Sequence, residues 1–156
     1  MANESVVVYY SNSGITKKAA EKIAYKTDSD MMGIHPKDAF PTDYQALTDF
    51  VQEEIADNKL PELDKKYDVS KYSTIFLGFP TWYERPPLLI DEFLKKTKIA
   101  KKDIIPFTTS GSSSIDVSVP FIEKICRKRG AVLVDGFTAN DSSDVEKFLN
   151  DYLEKE

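Results

Sequence analysis

A single cysteine, Cys126, and a single histidine, His35, stand among 156 residues, and these two scarcities exclude much chemistry at once. One thiol cannot close an internal disulfide, so the chain must hold together by its core, and a reducing compartment suits it. Cys126 sits with Ile122 and Ile125 in a helical pattern and reads as a small buried hydrophobe. His35 lies beside Pro36 and no Gly-x-Ser-x-Gly occurs, which leaves a Ser-His-Asp hydrolase without its parts. The Gly-x-x-x-x-Gly-Lys-Ser/Thr loop of nucleotide triphosphatases is missing too. Asp135, Asp141, Asp144 and Glu146 lack the ordered spacing and glycine of a calcium loop and read as a solvated helix start. No metal site is expected.

Long apolar runs are also lacking. Val6 to Tyr10 falls far short of the roughly 20 apolar residues that span a bilayer, and Met1 to Ser5 does not resemble a signal peptide. The expectation is a cytoplasmic protein without a membrane partner. Basic charge is outnumbered, 21 Lys and Arg against 26 Asp and Glu for a net charge of −5. That balance argues against nucleic acid, whose binders need clustered cations, and suits basic protein partners.

What is present is ordinary globular material: 41% hydrophobic and 30% charged residues, enough for one packed domain over 1–156. Short β-branched or aromatic runs alternate with segments of helical period, a pattern that predicts a parallel sheet covered by helices on both faces. The expected strands are Val6–Tyr10, Asp30–His35, Ser73–Phe79, Asp103–Thr109 and a continuous fifth strand Ala131–Phe137. The expected helices are Gly14–Thr27, Asp43–Asp57, Pro87–Lys96, Ile115–Arg129 closed by Gly130, and Asp141–Lys155 capped by Asp141, Ser142 or Ser143. Asn58 to Ser70 reads as an irregular surface loop.

Ligands of open parallel sheets bind beyond the carboxyl ends of the strands, where the strand order reverses. Three unusual loops should emerge there. Ser11-Asn12-Ser13-Gly14-Ile15-Thr16 joins a buried strand to a helix through hydroxyls and a glycine, and so can surround a phosphate with backbone N–H groups at a helix mouth. Alone, it also reads as a hydroxyl-rich helix cap. Lys17 and Lys18 follow it and read as a solvated helix face. The second loop, Pro80-Thr81-Trp82-Tyr83-Glu84-Arg85-Pro86-Pro87, places two large aromatics at the sheet edge, where they either cover a flat ring or fold back over the helix mouths. The third, Thr108-Thr109-Ser110-Gly111-Ser112-Ser113-Ser114, is small and rich in donors; it suits the polar edge of a heterocycle or forms a plain turn.

These residues resemble the flavodoxin family, whose phosphate loop Ser/Thr-x-Thr/Ser-Gly-x-Thr is matched by Ser11 to Thr16. Gly78 to Tyr83 is similar to the family's flavin-stacking loop, and Pro106 to Ser112 to its second ring loop. The resemblance implies a three-layer α/β sandwich with a five-stranded parallel sheet in the order 2-1-3-4-5, in the short-chain form. It implies FMN as cofactor. Its phosphate would be held by Ser11, Asn12, Ser13, Gly14, Ile15 and Thr16, with Pro80, Thr81, Trp82 and Tyr83 along one side of the ring. Thr108, Thr109, Ser110, Gly111 and Ser112 would lie along the other edge. Glu84 and Arg85 depart from the pattern, because relatives often carry a small residue directly after the aromatic pair. The implied function is a monomeric, soluble electron carrier between a reductase and acceptor enzymes. The alternative within the same fold is an FMN-dependent NAD(P)H oxidoreductase acting on quinones, azo or nitro compounds, with Lys59 to Leu63 reaching over the flavin.

Overall fold

The computed structural model describes residues 4–12, 14–110 and 113–154. The central strands are runs that alternate little in polarity because both of their faces are covered. They are β1 (Ser5–Tyr9), β3 (Thr74–Pro80) and β4 (Asp103–Thr109), flanked by β2 (Asp30–Gly33). All pair in parallel in the order β2-β1-β3-β4, with Val7 beside Met31 and Phe76, and Phe76 beside Ile105. On one face lie α1 (Ile15–Thr27) and α5 (Ser142–Glu154). The small residues Ala19, Ala20 and Ala24 of α1 let it sit close to Val7 and Phe76. The other face carries α2 (Tyr44–Asp57), α3 (Leu88–Lys96) and α4 (Val119–Arg129), whose Val51, Phe93 and Ile122 share a larger core with Val6, Val8 and Ile75. The expected α/β sandwich and strand order are therefore present.

Helix ends follow their local chemistry. Asp43 caps α2 by accepting from Ala46 N at 3.0 Å, and Asp141 caps α5 by accepting from Asp144 N at 3.0 Å. Hydrogen bonds from Ser143 and from the Asp144 backbone hold the Asp141 carboxyl below its usual range. The expected helix over 115–129 is broken. A single 3-10 turn, Ile115–Val117, precedes α4 because Pro120 has no N–H to give the carbonyl one turn back.

The continuous fifth strand is not found. The structure has β5 (Val132–Leu133) and β6 (Phe137–Thr138), both paired in parallel with β4. Ile104 pairs with Leu133 and Phe107 with Phe137, so Val134, Asp135 and Gly136 stand opposite only Ile105 and Pro106. The extra residue makes a bulge, and its partner Pro106 has no N–H for the ladder. Gly136 is needed at this close approach, because a Cβ there would lie 2.0 Å from the Pro106 carbonyl oxygen.

The segment between α2 and β3 has no helix, as expected, but it is more than surface loop. Tyr67 and Val69 are buried in the larger core. Pro36 and Leu63 form an antiparallel bridge, and the Tyr67 hydroxyl donates to the Asp64 carboxylate while accepting from His35 N. His35 is exposed beside this anchor, and Cys126 is buried, as expected of a small core hydrophobe. Burial pushes the Cys126 thiol up to about 11. No helix among the described residues is long and apolar enough to cross a membrane.

Candidate functional site

Strands β1, β3 and β4 run side by side in parallel, so the three loops that follow them open at one edge of the sheet. At the first, the chain turns through Gly14 with φ 95° and ψ −10°, a left-handed conformation that a side chain would strain. Gly14 N donates to Ser11 Oγ at 3.0 Å, which closes the turn. The first turn of α1 carries no acidic residue and no side-chain cap among the described residues. Nothing lies within 4 Å of the position that a Gly14 Cβ would take. A helix mouth with uncapped N–H groups, positive dipole and open space in front is built to receive an anion. Asn12 and Ile15 are exposed at its rim. Ser13 lies outside the described residues.

Thr16 points elsewhere. It is buried, and its Oγ1 lies 2.8 Å from Thr109 Oγ1 at the end of β4. This hydroxyl pair ties the first loop to the third. A second pair, Thr81 Oγ1 to Thr108 Oγ1 at 2.6 Å, ties the second loop to the third, and Thr81 N donates to Thr109 O at 3.0 Å. Thr108 Oγ1 also donates to Phe79 O at 2.9 Å. The threonines thus register three strand ends against one another. Ser110 N donates to Asn140 Oδ1 at 2.8 Å, which fixes the third loop from the side of α5. Gly111 and Ser112 lie outside the described residues.

The second loop holds the aromatics. Pro80 is the last residue of β3, paired with Thr109. Trp82 and Arg85 exchange both backbone hydrogen bonds, at 3.0 and 3.2 Å, around a two-residue turn. Tyr83 and Glu84 take φ of 53° and 60°, left-handed values usually left to Asn and Gly in such a turn. Bulky residues do so only when their surroundings enforce it. Those surroundings are visible. Arg85 Nη2 lies 2.7 Å from Asp91 Oδ2 on α3, both side chains largely buried, and its guanidinium rests 4.4 Å above the Phe121 ring of α4. Burial raises the Asp91 pKa although Arg85 opposes the shift. Ser113 Oγ donates to Glu84 Oε1 at 2.6 Å and links the turn to the third loop.

Trp82 is half-buried. Its ring meets Tyr10 and Phe40 edge-on at 5.7 and 5.8 Å, while Tyr83 is exposed. Burial, with Glu54 nearby, keeps the Tyr10 phenol un-ionised well above its usual range. The indole therefore has a supported edge in the core and remains accessible at the loop cluster. Between α2 and this loop a cavity of about 250 Å³ is lined by Tyr44, Leu47, Thr81, Trp82 and Tyr83.

The family model for flavodoxin matches residues 4–156. The chain belongs to the flavodoxin family. Among solved structures, a flavoprotein of Lactobacillus acidophilus in complex with FMN is 27% identical, with TM-score 0.79 over 95% of this chain and 99% of that one. A protein of Bacteroides uniformis is 26% identical, with TM-score 0.84 over 96% and 99%. Oxidised Flavodoxin 1 of Bacillus cereus, 20% identical with TM-score 0.60 over 97% and 96%, shares the fold. No curated protein sequence matches significantly.

Sequence reasoning located the flavodoxin-family loops but not their supports. Tyr10 and Phe40 beneath Trp82 and Asn140 beside Ser110 come from distant positions, and Asp91 beneath Arg85 comes from the following helix. A period or a motif carries no signal for such contacts. The segment Lys59 to Leu63 is held against 35–37, with Lys37 N donating to Glu62 O at 2.8 Å.

Proposed function

We propose that this flavodoxin-family chain binds FMN and serves as an electron carrier between a reductase and acceptor enzymes. The carrying observation is the loop cluster itself. An uncapped helix mouth, a supported tryptophan and a hydroxyl-rich third loop are locked at one sheet edge by the Thr16–Thr109 and Thr81–Thr108 pairs. The donor set fits the cofactor: Ser11, Asn12, Gly14 and the first turn of α1 would hold its phosphate, Trp82 and Tyr83 its ring face, and Thr109 and Ser110 the polar ring edge. FMN supplies the redox chemistry, and the chain orients it and sets its surroundings. The relative crystallised with FMN supports the same reading.

At the ring end the Arg85 charge is already met by Asp91. The protein as a whole carries a net charge of −5. Negative charge gained on reduction is therefore disfavoured, and the bound potential is expected below that of free FMN. The acidic balance also suits basic redox partners in the cytoplasm.

Titrating the apoprotein with FMN and with riboflavin tests the binding. Saturable fluorescence quenching, tighter for FMN, is expected; no response to either flavin overturns it. Steady-state NAD(P)H oxidation by the purified holoprotein, with a quinone acceptor, tests the role. Turnover without an added reductase would replace the carrier by an oxidoreductase of quinones, azo or nitro compounds.

A further inference from the structure

A second cleft lies behind the aromatic support of Trp82. It has a volume of about 590 Å³, between α2, the 36–40 segment and residues 59–62. That is within the ordinary size of a small-molecule site, about 300–1,000 Å³. Phe40, Phe50 and Leu60 supply its apolar wall, and its charged lining is one-sided: Asp38, Glu53, Glu54, Asp57 and Glu62 against Lys59. Glu62 is already engaged by Lys37 at 3.5 Å.

Glu54 differs from the other acids. They are exposed, whereas Glu54 retains only 8% of its accessible surface. It lines the cleft, and its carboxyl has no hydrogen-bond partner among the described residues. Its carboxyl oxygens keep contact with solvent at the cleft, since among the described residues the buried side-chain oxygen without a partner is Ser118 Oγ. A cation of suitable shape in the cleft would pair with a charge that the surrounding burial leaves only partly hydrated. A bare metal ion does not fit: among the described residues no three His, Cys, Asp or Glu side chains converge on one point, and the volume is far larger than an ion needs. An ammonium or guanidinium on an apolar body satisfies both walls, its charge against Glu54 and its body against the Phe40 and Phe50 rings.

We propose that the cleft between α2 and residues 59–62 binds a small organic cation with an aromatic or aliphatic body, held by Glu54 and by the rings of Phe40 and Phe50. The site stands on its own residues and does not depend on FMN binding. Its occupancy is nevertheless sensed at the flavin loop, because Phe40 touches Trp82, the only tryptophan of the chain.

Proton linkage gives the site a signature. Burial raises Glu54 to about 7, with Lys59 pulling the other way. The groups around it are Tyr10 just after β1, Glu53 and Asp57 on α2, Asp38, and Lys59 and Glu62 on the far wall. A bound cation favours the ionised Glu54, so binding releases a proton and strengthens as pH rises through neutrality.

The test titrates FMN-loaded protein with phenethylammonium, followed by amide and tryptophan indole NMR signals. Phenethyl alcohol and phenylacetate serve as neutral and anionic controls. Saturable shifts confined to 38–40, 50–62 and the Trp82 indole are expected, with the two controls about tenfold weaker or worse. Affinity should rise several-fold between about pH 6 and about pH 8. Glu54→Gln, which keeps the shape, should weaken the cation about tenfold and abolish the pH dependence. Equal binding of the alcohol, an unchanged affinity in Glu54→Gln, or no saturation by about 10 mM overturns the proposal. Normal FMN binding in the same samples would show that only this inference, and not the cofactor reading, has failed.

Discussion

The two ends of the loop cluster are made differently. At the helix mouth, Ser11, Gly14 and the first turn of α1 make the proposed anion site from local geometry, within eight consecutive residues. At the aromatic end, Trp82 to Arg85 keep a turn that Tyr83 and Glu84 resist, and its supports come from other elements: Asp91 from the next helix, and Tyr10, Phe40, Ser113 and Phe121 from farther along the chain. A phosphate is small and uniform, and local N–H groups suffice for it. A flat ring needs a wall, and the wall must be held by the fold.

That contrast can be broken by experiment. The largest effect is expected at Arg85. Arg85→Met leaves the Asp91 carboxyl buried without its partner and should cost about 3 kcal/mol in urea unfolding, with much of the loss returned in the Arg85→Met, Asp91→Leu double variant. An unchanged midpoint would mean that the turn holds itself. Next comes Trp82→Ala, expected to weaken flavin binding by about 1–3 kcal/mol, equally for FMN and riboflavin because both carry the ring. A loss confined to FMN would move the stacking role away from Trp82.

Gly14→Ala should show the opposite selectivity. Its left-handed φ penalises a Cβ by about 1–2 kcal/mol, and the weakening should appear for FMN while riboflavin, without the phosphate, is nearly unaffected. Parallel losses for both flavins would erase the division between the two ends. The smallest change belongs to Ser113→Ala. It removes one exposed hydrogen bond to Glu84 and should shift stability by less than about 1 kcal/mol, yet raise the mobility of the 82–85 amides in relaxation measurements.

The same contrast explains what could be read from the residues alone. The helix-mouth loop was legible because its chemistry lies in one short string, and the parallel sheet followed from alternating periods that each element carries within itself, while its strand order came only with the family resemblance. Trp82 and Tyr83 were legible as residues needing cover, but not as a turn with two positive φ values, since no glycine or asparagine announces it. The break in the fifth strand is hidden from the sequence for a related reason. Val132, Leu133 and Val134 suggest continuity, while the cause of the break, Pro106, sits on the neighbouring strand about thirty residues earlier. Pro120 was visible, yet its effect depended on where α4 begins, and helix ends are set by a residue or two.

The interrupted outer strand has a consequence for life at high concentration. A straight run of unpaired amides along the sheet border would be a template onto which another chain could lay its own strand. Here that border is two dipeptides joined by a kink at Gly136, too short and too bent for a newcomer to zip along. The irregularity at Pro106 thus guards the molecule against edge-to-edge self-association.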